Sequence, residues 1–170
     1  MELLNQLRNE ETITDFFRTE CEDEGICIEV DEDVDEDSIL IIKVDDFYNS
    51  FNVETRPPSV DCLIIQHCES GIYKVYLIEL KNMERTKHID KVNLIEKYRT
   101  TLFDFISDRY RHIFNEFEFK TYLWLCAGKV TEDKIRNYSL DFLLSLDHIK
   151  FRGLWLGVCG FPPVPTIKSC

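Results

Sequence analysis

The sequence predicts a single α/β domain in which helices flank a mixed central sheet. The chain has 170 residues, 44% of them hydrophobic, which is long enough to bury one sizeable core and short for a second domain. Apolar residues recur at three- and four-residue spacing in helix-like segments, and short β-branched runs typical of strands lie between these segments. No internal repeat is visible. Together these observations favour one α/β core.

The predicted elements follow in the order helix, three strands, helix, strand, helix, strand. A helix occupies part of residues 2–22, either as one helix or as two broken near Glu11 and Thr12. Strands are expected at residues 38–44, 61–68, 72–80, 122–126 and 153–159, and the later helices at residues 90–106 and 131–146. Thr131 is suited to cap the last helix, and the proline-rich residues 160–170 are expected to be irregular.

The charge of the chain is unevenly distributed. The net charge is −12, and residues 1–61 hold 19 acidic residues against 4 Lys or Arg, whereas residues 81–112 hold 8 Lys or Arg against 5 acidic residues. Much of the acid lies in residues 20–38, here called the acidic segment, which is predicted to be a solvated, partly mobile arm. Either the acidic segment only aids solubility, or it binds a basic partner protein or the chain's own basic surface until nucleic acid displaces it.

The seven cysteines are scattered, form no CxxC pair and are odd in number, so they are predicted to be reduced thiols. Cys62 and Cys68 are interpreted as small core residues. The N-terminus lacks the basic start and the apolar run of a signal peptide, and no stretch approaches the ~18 apolar residues of a membrane span. These features predict a cytoplasmic or other reducing intracellular location and no membrane partner.

The two strands in the middle of the chain predict a β-hairpin that turns at Ser70. Residues at equal distances from Ser70 then face one another across the antiparallel pair, so that Asp61 faces Glu79. Because side chains alternate along a strand, Lys81 projects from the same face as Glu79, and Leu80 points to the opposite, buried face. A register shift of one residue would move Asp61 to the wrong face. The expected hairpin therefore ends in two acids and a lysine.

Two facing carboxylates destabilise a sheet unless something compensates their charges. A divalent cation does so, since Mg²⁺ takes a few carboxylate oxygens, keeps several waters and completes its shell with substrate phosphate. Such an ion polarises a phosphodiester and lowers the pKa of a bound water, while a nearby lysine orients or helps to deprotonate that water. Asp61, Glu79 and Lys81 are accordingly candidate residues for phosphodiester hydrolysis.

The stretch from Pro58 to Asp61, followed after 17 intervening residues by Glu79-Leu80-Lys81, resembles the PD-(D/E)xK signature of the restriction-endonuclease-like nuclease superfamily. Here the proline stands three residues before the aspartate instead of next to it. The predicted order of elements over roughly residues 10–126 is similar to the αβββαβ core of that superfamily.

The resemblance implies a fold, an activity and a set of site residues. Asp61 and Glu79 would bind Mg²⁺ or Mn²⁺ with help from the backbone carbonyl of Leu80, and Lys81 would be the catalytic lysine. Many members add an acidic residue from the N-terminal helix. The candidates here are Glu10, Glu11 and Glu20. The implied activity is that of a Mg²⁺-dependent endodeoxyribonuclease, in restriction or other defence, junction resolution or element excision.

Basic residues follow the predicted site, where a phosphate backbone would pass. Those closest to it are Arg85, Lys87, His88 and Lys91. They are candidates for binding nucleic acid, DNA more than RNA, and a symmetric homodimer would be the simplest way to cut both strands of a duplex. Asp45 and Asp46 could also reach the site if their strand neighbours the hairpin. The alternative is a catalytically inactive nuclease-fold protein that serves as an acidic interaction module.

Overall fold

The computed structural model describes residues 1–51, 53–82, 89–128, 142–161 and 165–170. Its strands are β1 (Phe17–Arg18), β2 (Cys21–Asp23), β3 (Ile26–Ile28), β4 (Ile39–Lys43), β5 (Cys62–His67), β6 (Tyr73–Asn82), β7 (Phe119–Gly128), β8 (Ile149–Phe151), β9 (Leu154–Leu156) and β10 (Val158–Phe161). Its α-helices are α1 (Glu2–Arg8), α2 (Val44–Asn49), α3 (Lys91–Arg99) and α4 (Arg111–Phe114). A π-helix, Thr100–Arg109, continues α3, and short 3₁₀ turns occupy Thr14–Phe16 and Glu36–Ser38.

Six of these strands form the central sheet, in the spatial order β1-β4-β5-β6-β7-β10. Each pair of neighbours from β1 to β6 is antiparallel, and β6, β7 and β10 run parallel to one another. The parallel step from β6 to β7 is possible because α3 and the π-helix lie between them in the chain, as parallel strands require a crossover. The predicted α/β class and mixed sheet are confirmed.

The sheet buries apolar side chains on both faces. On one face, here called the helical face, the helices pack against alternate residues such as Leu63 of β5 and Leu77 of β6. On the other face, the small β2–β3 hairpin and Ile167 cover a second cluster that includes Ile64 and Ile78. This alternation follows from the period of two along a strand. It decides which face each polar side chain near the sheet's edge can reach.

The N-terminal helix is shorter than predicted. It ends at Arg8, and the chain continues through a 3₁₀ turn into β1, which pairs antiparallel with β4. Glu10 and Glu11 would place negative charge at a helix C-terminus, where it is unfavourable, and the β-branched residues 12–14 have low helix propensity. The α-helix thus ends before Glu11, and residues 9–22 contain no second α-helix.

The acidic segment is not detached from the domain. It contains the β2–β3 hairpin and a 3₁₀ turn that Asp35 caps by accepting a hydrogen bond from the Asp37 amide. Its apolar side chains Ile26, Ile28 and Val34 are buried, while most of its acids face solvent. The segment therefore contributes part of the core of the opposite face.

The C-terminal prediction was wrong in detail. The expected strand at residues 153–159 is divided at Gly157 into β9, which pairs with β8, and β10, which joins the central sheet beside β7. Residues 160 and 161 belong to β10 although they were expected to be irregular, and Val30 forms an isolated bridge to Ile167. Most of the predicted helix at residues 131–146 lies outside the described residues. Of its described part, residues 142–144 are helical.

The prediction that all the cysteines are reduced thiols was wrong for four of the seven. All seven lie in the part of the chain that the structure describes, and four of them form the disulfides Cys21–Cys62 and Cys68–Cys170. Cys62 and Cys68 are buried, as expected of core residues. Since disulfides persist in oxidising surroundings, the pairing favours a non-reducing compartment over the cytoplasm.

Among the described residues, none of the helices is long and apolar enough to cross a membrane.

Candidate functional site

The hairpin of β5 and β6 has the predicted register. Leu63 pairs with Leu77 and the ladder continues to Cys62 opposite Ile78, so Asp61 lies one step beyond it, beside Glu79. The Leu80 amide donates a hydrogen bond to Asp61 Oδ2 at 2.6 Å, which holds the carboxylate across the strand end. The turn at Ser70 therefore brings two acids together that are far apart in the chain.

Asp61, Glu79 and Lys81 all lie on the helical face. Ile78 and Leu80, on either side of Glu79, belong to the apolar cluster of the opposite face, so alternation turns Glu79 and Lys81 towards the helices. Asp61 is 3% exposed and Glu79 has no exposed surface. Carboxylates are rarely buried to this degree without charged partners, so their partners decide what the site can do.

Two lysines supply that charge. Lys81 Nζ lies 2.7 Å and Lys97 Nζ 2.6 Å from the same atom, Glu79 Oε1. Lys97 Nζ also lies 4.0 Å from Asp61 Oδ1. Two buried carboxylates and two partly exposed ammonium groups thus form one ionic cluster, here called the acid–lysine cluster, at the end of the hairpin.

Helix α3 places Lys97 over the strand ends. Asp90 caps the helix by accepting hydrogen bonds from the amides of residues 92 and 93, and the Tyr98 hydroxyl donates to the Trp124 carbonyl oxygen at 2.8 Å. Thr101 Oγ1 donates to the Lys97 carbonyl oxygen at 3.0 Å and accepts from the Val60 amide at 3.3 Å. The helix is therefore tied both to β7 and to the residue that precedes Asp61.

Lys97 is a site residue that is not among the candidates predicted from the sequence. The signal was its spacing. Lys97 is three residues after Leu94 and four before Thr101, and both of these are buried. Residues at this spacing share one face of a helix, which makes Lys97 part of the buried stripe.

Burial and charge shift two pKa values in the cluster. The pKa of Asp61 is raised to about 7, because burial and the neighbouring Glu79 carboxylate outweigh the Leu80 amide, Lys97 and Lys81, which act in the opposite direction. Burial alone would lower the pKa of Lys81, but the charge and hydrogen bond of Glu79, with Asp61 nearby, outweigh it and raise that pKa. Asp61 therefore titrates near neutral pH, while Lys81 is a stable cation.

The donor set suits a hard divalent cation. Glu79 Oε2 is buried and has no hydrogen-bond partner among the described residues, so this oxygen is available as a ligand. Mg²⁺ is often bound by one or two carboxylates, with water and phosphate in its remaining coordination positions. The described residues contain no group of three His, Cys, Asp or Glu side chains that could hold a metal. Asp61 and Glu79 would thus be the only carboxylate ligands from this part of the chain.

The three candidate acids from the N-terminal region have other surroundings. Glu10 accepts a hydrogen bond from Thr12 Oγ1 at 2.7 Å and lies 3.3 Å from His112 Nε2. Glu11 is exposed, and Glu20 lines a surface pocket of the acidic segment. Among the described residues, no hydrogen bond or ion pair joins any of the three to Asp61 or Glu79.

The strand that Asp45 follows does neighbour the hairpin, since the Val44 amide donates to the Asp61 carbonyl oxygen at 3.1 Å. The Asp45 carboxylate, however, lies 3.6 Å from Lys43 Nζ, and Lys43 projects to the opposite face of the sheet. Burial is the main reason why the pKa of Asp45 is raised, and the negative charges of Asp46 and Asp23 raise it further. Asp46 forms a salt bridge with Arg18 at 2.8 Å.

Of the four candidate nucleic-acid-binding residues, three lie outside the described residues. These are Arg85, Lys87 and His88. Lys91 is exposed at the start of α3, and its Nζ donates to Ser145 Oγ at 2.7 Å.

Comparison of the chain with known protein families, curated proteins and solved structures gave no match. The geometry of the acid–lysine cluster is therefore the main guide to function.

Proposed function

We propose that this protein is a Mg²⁺- or Mn²⁺-dependent nuclease that hydrolyses phosphodiester bonds, in DNA rather than RNA. The observation that carries the proposal is the buried pair of Asp61 and Glu79 on one sheet face, with Lys81 Nζ 2.7 Å from Glu79 and Glu79 Oε2 without a hydrogen-bond partner among the described residues. If β1 to β3, α2, the π-helix and α4 are treated as additions, the remaining order α1, β4, β5, β6, α3, β7 is similar to the αβββαβ core and supports the proposal.

Asp61 and Glu79 would hold the cation, with the Leu80 carbonyl as a further oxygen. When bound, the cation supplies Lewis-acid polarisation of the phosphate and a bound water of lowered pKa. Burial serves this purpose, because a dry carboxylate pair loses less attraction to solvent screening. The Leu80 amide fixes Asp61 Oδ2, so that the carboxylate is already oriented before substrate arrives.

Lys81 acts as a charged hydrogen-bond donor. Its raised pKa keeps the side chain protonated at neutral pH, which suits it to orient the attacking water and to stabilise negative charge on the phosphate. Its side chain is 24% exposed, so the ammonium can be reached by a substrate outside the strand end. The surplus of Lys and Arg in the sequence of residues 81–112 favours an anionic substrate such as a phosphate backbone.

The test is a cleavage assay. Purified protein is incubated with supercoiled plasmid, single-stranded DNA and RNA, each with Mg²⁺, Mn²⁺ or EDTA. Glu79→Gln and Lys81→Met are compared with Lys120→Met, which changes an exposed lysine at the start of β7. We expect wild type and Lys120→Met to cleave DNA. We expect no cleavage in EDTA or by either site variant. Equal cleavage by the site variants, or none by wild type, would overturn the proposal.

A second candidate is the acidic interaction module, favoured by one observation. A surface pocket in and beside the acidic segment is lined by four acids between residues 29 and 33, together with Glu20 and Thr166. A basic protein would complement this charge. A Glu29→Gln, Asp31→Asn variant should then lose binding to a basic protein such as a histone, while Glu79→Gln should retain it. The opposite result would remove this candidate.

A further inference from the structure

Once Asp61 is ionised, the acid–lysine cluster is electrically balanced without any added ion. Lys81 and Lys97 both contact Glu79 Oε1, at 2.7 and 2.6 Å, and their two positive charges match those of the ionised Asp61 and Glu79. A single carboxylate oxygen that accepts from two ammonium groups has no need of a further cation, although Glu79 Oε2 remains without a hydrogen-bond partner among the described residues.

Lys97 is the lysine that spans both acids. Its Nζ lies within 4.0 Å of Asp61 Oδ1 as well as in contact with Glu79. Its side chain reaches the cluster from α3, a different element from the one that carries Glu79 and Lys81, and is 17% exposed. An ammonium group on a flexible four-carbon stem with one exposed side can move outward without any change in the backbone.

A divalent cation on the same two carboxylates would meet this ammonium group. Like charges that share a poorly solvated site repel strongly, and the ion would bring two more positive charges into a balanced cluster. The lysine that spans both carboxylates is the one whose position conflicts most with such an ion.

We propose that Lys97 is a tethered counter-ion of the site: its ammonium group occupies the carboxylate pair when no cation is bound and moves out when one binds, and so lowers the affinity for divalent cations. The inference rests on the proposed function, because it assumes that Asp61 and Glu79 hold the cation. Lys97 is in this view a positioning residue that sets the cation concentration at which the site becomes loaded.

Calorimetric titration with Mn²⁺ tests this on the full chain. Lys97→Met, which keeps the length of the side chain and removes its charge, should bind Mn²⁺ at least about tenfold more tightly than wild type. Lys120→Met should match wild type, and adding Glu79→Gln to Lys97→Met should abolish binding. A purely structural Lys97 would give Mn²⁺ affinity equal to or weaker than that of wild type, which would overturn the inference.

A second measurement needs no variant. Amine labelling of wild-type protein, read by mass spectrometry, should show Lys97 more reactive in saturating Mn²⁺ than in EDTA, with Lys120 unchanged. Unchanged or lower reactivity of Lys97 in Mn²⁺, while calorimetry reports a bound ion, would also overturn the inference.

The two proposals fail in different ways. If wild type binds Mn²⁺ and cuts DNA but Lys97→Met binds the ion no more tightly, only the role of Lys97 is lost. If neither wild type nor Lys97→Met binds Mn²⁺, the cation site itself is absent and both proposals fall.

Discussion

Lys97 Nζ lies 2.6 Å from Glu79 Oε1, on a carboxylate that has no exposed surface. The contact joins α3 to the central strand β6, so it holds a helix on the sheet as well as balancing a charge. Removing one partner of a buried ion pair is costly, because the other charge remains without compensation.

Lys97→Met should therefore destabilise the protein in EDTA, by about 3 kcal/mol in urea unfolding. Glu79→Gln should also destabilise, since both lysines lose their carboxylate. The double variant should cost less than the two single variants added together, because it removes both charges. Additive losses would show that the two groups are not coupled in solution. Lys120→Met, at an exposed position, is the control for the loss of a lysine charge.

The raised pKa of Asp61 gives a dependence of stability on pH. The pKa is about 7 in the folded protein against an ordinary value of 3.8, so between these values the folded protein binds a proton that the unfolded chain has lost. The stabilisation is fully present below the unfolded pKa, decreases as the pH rises from about 4 to about 7, and is absent above that range. The slope cannot exceed about 1.4 kcal/mol per pH unit.

Asp61→Asn isolates this effect, because asparagine still offers an oxygen to the Leu80 amide and does not titrate. The free energy of unfolding of Asp61→Asn, relative to wild type, should increase between pH 4 and pH 7 and then level off. Chemical denaturation at a series of pH values measures it. A difference that stays constant over the range would mean that Asp61 keeps an ordinary pKa.

The register of the hairpin could be predicted from the sequence, and the partners of its acids could not. Asp61 and Glu79 are joined by a local turn, so the parity of two short strands fixes which side chains meet. Lys97 reaches Glu79 only through the packing of α3 on the sheet, which depends on contacts such as that of Tyr98 with β7. Spacing indicates that Lys97 lies on the buried stripe but not which strand it meets.

The disulfides show the same limit. Cys68 and Cys170 are separated by 102 positions and Cys21 and Cys62 by 41. A pairing over such distances follows from how the β2–β3 hairpin and the C-terminus cover the opposite face, which has no local signature. The length of the first helix was overestimated for a related reason. Residues that could have continued the helix form β1 instead, because they pair with the distant strand β4.

The disulfides predict a thiol count. Alkylation of denatured, unreduced protein should label three cysteines, namely Cys27, Cys126 and Cys159. Cys21→Ser should lower the free energy of unfolding by up to about 4 kcal/mol, the loop-closure value for a link of this separation. Cys27→Ser, at a half-buried unpaired position in the same hairpin, is the matched control. Seven labelled cysteines would show that neither disulfide forms.

The Thr101 hydroxyl connects the backbone at Lys97 to the residue before Asp61, and we predict that this connection contributes to stability. Thr101 is fully buried, and its Oγ1 is the acceptor of the Val60 amide and a donor to the Lys97 carbonyl oxygen. Thr101→Val keeps the shape and removes both hydrogen bonds, which leaves a buried amide without this acceptor. The expected cost is about 2 kcal/mol in the free energy of unfolding.

Thr100→Val, one residue earlier and partly exposed, tests whether a β-branched apolar residue is itself tolerated at this point of the helix. It should change the free energy of unfolding by no more than about 0.5 kcal/mol. Hydrogen exchange of the Val60 amide gives the local readout, because this amide should exchange faster in Thr101→Val and unchanged in Thr100→Val. Protection of Val60 that persists in Thr101→Val would mean that the hydroxyl does not connect α3 to the residue before Asp61.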